Sequence, residues 1–303
     1  MPTNPIVVLS FGRSGSTWVS DIISKAMGGL LLFEPLHPET CSISEEICYC
    51  DESSHGQSAQ LEQLLHGILD KQDHNRWLLR NHLFSPLEEV SPAFVETVWN
   101  ECNILGFKEI RAIFLIDWLL ERLNARVVYL VRHPYAVIAS LRRRKNFWNE
   151  FGFEQLWRFF RERVLFNPRN ESLLQPYVSV VESAGTQIQK ETVMWAASHK
   201  IASATLQKYG LPVFYYEDFY RNAFASTRTM LGYLGYDTNL HPAHIFVPSM
   251  TTIRTVHGLA ASESDYSSAG MAIFWQDILP PDDLRVIGEI VEAFELPDYV
   301  GRL

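Results

Sequence analysis

Six short apolar runs, separated by longer stretches of helical period, constrain the fold of this chain more than any other feature. They are Ile6 to Ser10, Leu30 to Phe33, Trp77 to Leu79, Ile104 to Phe107, Val127 to Val131 and Val213 to Tyr215. Runs this apolar suit strands covered on both faces. Strand alternating with helix predicts an α/β fold in three layers, a mostly parallel sheet flanked by helices with right-handed crossovers. Ligands bind such sheets outside the carboxyl ends of the strands, so function is expected in the loops that follow these runs. No internal repeat, low-complexity tract or Pro/Gly-rich linker divides the chain. A single domain over residues 1–303 is expected, and 303 residues of which 47% are apolar suffice for a large core.

A formal net charge of −9 argues against non-specific nucleic-acid binding and against docking on anionic lipid, since both draw affinity from an excess of Lys and Arg. Any anionic ligand must then be held by local basic groups. The chain opens directly on a strand-like run, without the charged n-region, apolar h-region and cleavage site of a leader, and no apolar run approaches the length of a membrane span. A soluble, cytoplasmic protein is expected. Cys41, Cys48, Cys50 and Cys102 are too few for a disulfide framework, and the first three lack a CxxC spacing or a following His pair. Ordinary thiols are expected, and no metal.

After the first run comes Ser10-Phe11-Gly12-Arg13-Ser14-Gly15-Ser16-Thr17-Trp18, and then Val19 to Met27 in helical period. Small residues and hydroxyls thus sit where a strand turns into a helix. Backbone N–H groups exposed at a helix start carry partial positive charge, glycine lets a phosphate approach the backbone, and Ser/Thr hydroxyls add donors. Arg13 adds a full charge. An ordinary N-cap by Ser16 or Thr17 explains the same residues. A nucleotide-kinase P-loop does not, because neither the GxxxxGK[ST] glycine spacing nor the lysine is present.

A second basic loop follows the run ending at Val131. Arg132-His133-Pro134 leads into a helix that Pro134 suits at its first position, and Ser140 lies six residues further on, placed to face the same site as Arg132.

Both segments resemble motifs of the sulfotransferases that use 3'-phosphoadenosine-5'-phosphosulfate (PAPS). Arg13-Ser-Gly-Ser-Thr-Trp-Val-Ser-Asp-Ile is similar to their 5'-phosphosulfate loop, and Val128-Tyr-Leu-Val-Arg-His-Pro-Tyr-Ala-Val-Ile-Ala-Ser140 to their 3'-phosphate motif. The resemblance, closest to the carbohydrate type, implies a P-loop-like sulfotransferase fold. It also implies that Arg13, Ser14, Gly15, Ser16 and Thr17 hold the 5' end and that Arg132 and Ser140 hold the 3'-phosphate. Trp18 would stack on adenine, unless it is a core aromatic of the helix. Val213-Phe-Tyr-Tyr216-Glu217-Asp218 resembles a later segment of the same family, which implies Tyr216 at the nucleotide; Arg254 loosely matches a C-terminal donor contact. The Ala- and Ser-rich stretch from Gly258 to Gly270 reads as a lid.

For chemistry, the family moves a sulfuryl group in line and without a metal. That requires a proton acceptor beside the nucleophile and cations where charge builds. Leu31-Leu-Phe-Glu34-Pro-Leu-His37 resembles the Phe-Glu-Pro-Leu-Trp-His segment of carbohydrate sulfotransferases, which makes Glu34 the first choice of base. His82, in Leu79-Arg-Asn-His-Leu, is the competitor; it resembles the base of cytosolic enzymes but stands at the wrong place in the chain order. Phe107 to Arg111 resembles the strand end whose lysine steadies the leaving group, so Lys108 takes that role together with Arg13, and Arg111 stays unassigned. A surface lysine is the other reading of Lys108. The implied donor is PAPS with PAP as product, and the implied acceptor a small molecule or carbohydrate. A P-loop phosphotransferase and a PAP-binding protein without turnover are the alternatives.

Overall fold

The computed structural model describes residues 4–37, 40–41, 55–73, 75–82, 91–143, 152–236, 274–296 and 299. Arg254, the stretch 258–270 and most of the 37–57 loop lie outside them. Among the described residues five strands form one parallel sheet: β1 (Ile6–Ser10), β2 (Leu30–Phe33), β3 (Ile104–Glu109), β4 (Arg126–Val131) and β5 (Val213–Tyr215), in the order β2-β3-β1-β4-β5. The helices are α1 (Ser16–Met27), α2 (His55–Leu69), α3 (Pro92–Glu101), α4 (Ile116–Glu121), α5 (Pro134–Arg143), α6 (Phe153–Phe160), α7 (Pro168–Leu174), α8 (Val178–Ser183), α9 (Gln187–Lys208), α10 (Tyr216–Arg221), α11 (Ala223–Tyr233) and α12 (Pro281–Ala293).

Alternation along each strand divides the core into two layers. Val7, Leu9, Phe107, Val127, Tyr129 and Val131 face the side covered by α9, whose Met194, Trp195 and Ala197 are buried against them. Ile6, Val8, Leu31, Val128 and Leu130 face the other side, covered by Val19, Ile22 and Ile23 of α1 and by Met230 and Leu231 of α11. Both faces being covered is why the strands read as continuous apolar runs. The three-layer α/β architecture therefore stands as the sequence implies.

One run is corrected. Trp77 to Leu79 is no strand but part of a 3-10 turn, Arg76–Leu79, started by Asn75, whose side chain accepts from the Trp77 amide at 2.9 Å. Three apolar residues are too few for periodicity to separate a strand from a buried turn, and here Leu78 and Leu79 simply plug the core.

The sheet order sets up the site. β1 and β4 are neighbours, so the loops after them share one crevice; β2 and β3 are neighbours, with Phe33 opposite Lys108, so the residues after Phe33 meet the end of β3. Among the described residues no helix is long and apolar enough to cross a membrane.

Candidate active site

The loop after β1 is a cradle of left-handed backbone. Arg13 has φ 70° and Gly15 has φ 86°, and Gly15 caps α1 without any side-chain hydrogen bond to the first amides. Those N–H groups are what an anion meets at a helix start. The Ser14 hydroxyl, fully buried, has no hydrogen-bond partner among the described residues, and neither has Ser10 Oγ at the end of β1; a buried hydroxyl of that kind is open to an acceptor that a ligand brings. Gly15 is also a close approach, since a Cβ there would stand 2.1 Å from the Tyr216 ring. Gly15→Ala combines that collision with a left-handed φ that costs an L-residue roughly 1–2 kcal/mol. A thermal melt should show the loss.

The loop after β4 closes on the first. Arg132 donates from Nη1 to the Arg13 carbonyl at 3.1 Å, and Arg13 donates from Nε to Ser140 Oγ at 3.0 Å. Two segments 119 and 127 residues apart in these bonds are thus one cationic surface. The Arg132 guanidinium lies 4.5 Å over the Tyr216 ring, and the His133 amide donates to Glu217 at 2.9 Å, which steadies the start of α5. Burial pushes the Glu217 carboxyl up, partly opposed by the His133 amide and Arg132. Trp18 packs beside Tyr216 and Tyr220, with ring centres 5.7 and 5.2 Å away.

The third wall lies after β2 and β3. Glu34 sits in a left-handed conformation, φ 40°, pinned by its amide to the Lys108 carbonyl at 2.8 Å. Its carboxylate accepts a hydrogen bond from Lys108 Nζ and one from Arg111 Nη1 at 3.0 Å. Lys108 is 3% exposed and rests over the Phe33 ring. Burial alone would push the Glu34 carboxyl up, but Lys108 and Arg111 outweigh it and hold the group well below the ordinary carboxylate range. On α1, burial lifts Asp21 to about 7 against the pull of Lys25 and Lys108.

His37 stacks on Trp77 at 3.9 Å, and burial with the nearby Arg111 pushes its ring down to about 4, Glu34 opposing. It is neutral at neutral pH.

Of the residues singled out in the sequence, the structure gathers Arg13, Ser14, Gly15, Ser16, Trp18, Arg132, Ser140 and Tyr216 around the joined loops, and Glu34 with Lys108 beside β3. His82 is elsewhere. Its Nε2 is 2.9 Å from the Leu31 carbonyl on the edge strand, three residues before Glu34 and so about 10 Å back along β2. Sequence reasoning leaves Arg111 and Glu217 without a role and passes over Glu109 and Tyr220. For Glu109 and Arg111 the spacing Lys108-Glu-Ile-Arg111 at a strand end was the available signal. Among the described residues no group of three or more His, Cys, Asp or Glu is placed to hold a metal ion.

Solved structures similar to this one include a sulfotransferase domain from the curacin biosynthetic pathway (16% identity, TM-score 0.47, covering 96% of this chain and 98% of that one). A second is the sulfotransferase domain of the Synechococcus PCC 7002 olefin synthase (18%, 0.46, 94% and 94%). A third is the sulfotransferase STF9 of Mycobacterium avium (14%, 0.40, 98% and 78%). No curated protein sequence matches the chain. The sequence model of the sulfotransferase family matches residues 5–239, from the first strand through the helix after the last one, and the chain therefore belongs to the sulfotransferase family.

Proposed function

We propose that this chain is a single sulfotransferase domain over residues 1–303 that moves a sulfuryl group from PAPS to a hydroxyl or amine of a small-molecule or carbohydrate acceptor. One observation carries the reading: Arg132 reaches the Arg13 carbonyl while Arg13 reaches Ser140, so the two loops that resemble phosphate motifs meet side by side. A nucleotide phosphorylated at both ends is the ligand such a pair of loops suits. The uncapped start of α1 and the orphaned Ser14 hydroxyl favour an anion at the first loop, and PAPS, when bound, supplies an activated sulfate on a mixed anhydride.

The chain's own residues divide the work. Arg13, Ser14, Gly15, Ser16 and Thr17 hold the 5' end, Arg132 and Ser140 the 3'-phosphate, and Trp18 and Tyr216 the base. Glu34 accepts the proton of the attacking acceptor. While Lys108 stays paired with it the carboxylate is a weak base, and turning Lys108 toward the leaving group restores basicity just where charge is also needed. Arg13 and Lys108 supply the cationic charge that in phosphoryl transfer comes largely from metal ions.

Thermal unfolding with PAP, with ATP plus Mg²⁺ and with AMP tests the donor. At a hundredfold excess over Kd, a ligand that binds only the folded chain stabilises it by about 2.7 kcal/mol. PAP should raise Tm most. Equal shifts from ATP plus Mg²⁺ would favour a phosphotransferase, and PAP binding without transfer from labelled PAPS would leave a binding protein.

A further inference from the structure

A second carboxylate stands beside Glu34 at the end of the neighbouring strand. Glu109 ends β3, is fully buried, and accepts three backbone N–H groups: Leu36 at 2.8 Å on one oxygen, and Ile110 at 2.8 Å with Arg111 at 3.0 Å on the other. Leu36 lies two residues after Glu34, in the turn whose His37 amide returns to the Glu34 carbonyl at 3.0 Å. That turn needs an anchor. Glu34 is held in left-handed backbone, which a non-glycine residue keeps only when its surroundings over-determine it. Arg111 closes the figure, with one guanidinium nitrogen 3.0 Å from Glu34 and 3.8 Å from Glu109.

We infer that Glu109 is the positioning residue of this site: its carboxylate ties the Glu34-Pro35-Leu36 turn to the end of β3 and so aims Glu34 at Lys108 and the acceptor. This rests on the sulfotransferase reading for its catalytic consequence and on the hydrogen bonds alone for its structural one. The geometry demands a carboxylate. It accepts on both oxygens from amides on both sides, so a carboxamide of the same size must set an NH₂ against at least one N–H. A Gln oxygen satisfies two amides on the Ile110 and Arg111 side and one on the Leu36 side, so Glu109→Gln sets its NH₂ against Leu36 and loosens the tie with almost no change of volume.

The test compares four proteins: wild type, Glu109→Gln, Glu34→Gln and the double variant. Glu109→Gln should lower kcat about 10- to 100-fold, the scale of a displacement near 1 Å at the reacting groups, with PAP affinity kept. In the Glu34→Gln background the same change should lower the remaining rate by less than about twofold, because Glu109 acts through Glu34. An unchanged kcat, or a loss repeated in full in that background, overturns the inference. Carbon-13 NMR of labelled Glu side chains gives a readout that needs no activity: the Glu34 carboxylate resonance, assigned by its absence in Glu34→Gln, should move in Glu109→Gln. If it stays in place the inference falls. If wild type fails to turn over PAPS, the functional reading falls alone and the resonance still decides the positioning role. Should Glu109→Gln not fold, Glu109→Asp, which keeps the charge and shortens the reach, is scored by the same resonance.

Discussion

Glu34→Gln should lower sulfuryl transfer by about 10² to 10⁴, the range lost with a general base, and leave PAP binding intact. The substitution keeps the shape and one acceptor oxygen but cannot take a proton. It also has a structural cost that separates it from a surface change. Lys108 is buried and its ion partner is Glu34. Removing one member of a buried pair typically costs about 3–5 kcal/mol, because the remaining charge is left without its counter-ion. A lower Tm without donor should therefore accompany the loss of turnover. Because Lys108 and Arg111 hold the Glu34 carboxyl below its ordinary range, the wild-type carboxylate stays ionised through the neutral range. The sign follows: the pair's stabilisation is present above the ordinary carboxyl value and disappears only as pH falls through the depressed one. Turnover lost in His82→Ala but kept in Glu34→Gln would transfer the role of base to His82.

Arg132→Ala should weaken PAP binding roughly 10- to 100-fold and leave AMP binding much less affected. A hydrogen bond from a charged group is worth about 1.5–3 kcal/mol, and 1.4 kcal/mol is tenfold in affinity. The discrimination is the point of the experiment, since Arg132 is assigned to the 3'-phosphate that AMP lacks. Part of the loss will be shared by both nucleotides, because Arg132 also holds the Arg13 carbonyl and rests on Tyr216. Arg132→Lys keeps the charge but not the planar fork, and should fall between. Calorimetric titration of both ligands reads this directly; an equal loss for PAP and AMP would remove Arg132 from the 3'-phosphate.

What could be read in advance was local. Ile6 to Ser10, Leu30 to Phe33 and Val213 to Tyr215 are strands over those same residues, because a strand covered on both faces needs an unbroken apolar run. The loops after β1 and β4 could be singled out because each is a short continuous segment, and the structure brings Arg13, Arg132 and Ser140 together. What escaped notice is long-range. Glu109 acts on an amide 73 residues earlier, and Glu217 on one 84 residues earlier. Neither partner is a side chain, so no pattern of residue types announces them. The pairing of Glu34 with Lys108 depends on β2 and β3 being neighbours, which the sheet order decides and the alternation of elements does not. Trp77 to Leu79 misled because a run of three carries no period.

The hydrogen bond between His82 and Leu31 has a meaning beyond catalysis. Among the described residues β2 is an outer strand of the sheet, and outer strands offer bare carbonyls on which a foreign segment can assemble. At Leu31 that acceptor is already taken by the His82 ring, which burial pushes down from its ordinary value. One acceptor on that border of the sheet is in this way closed to intermolecular strand pairing.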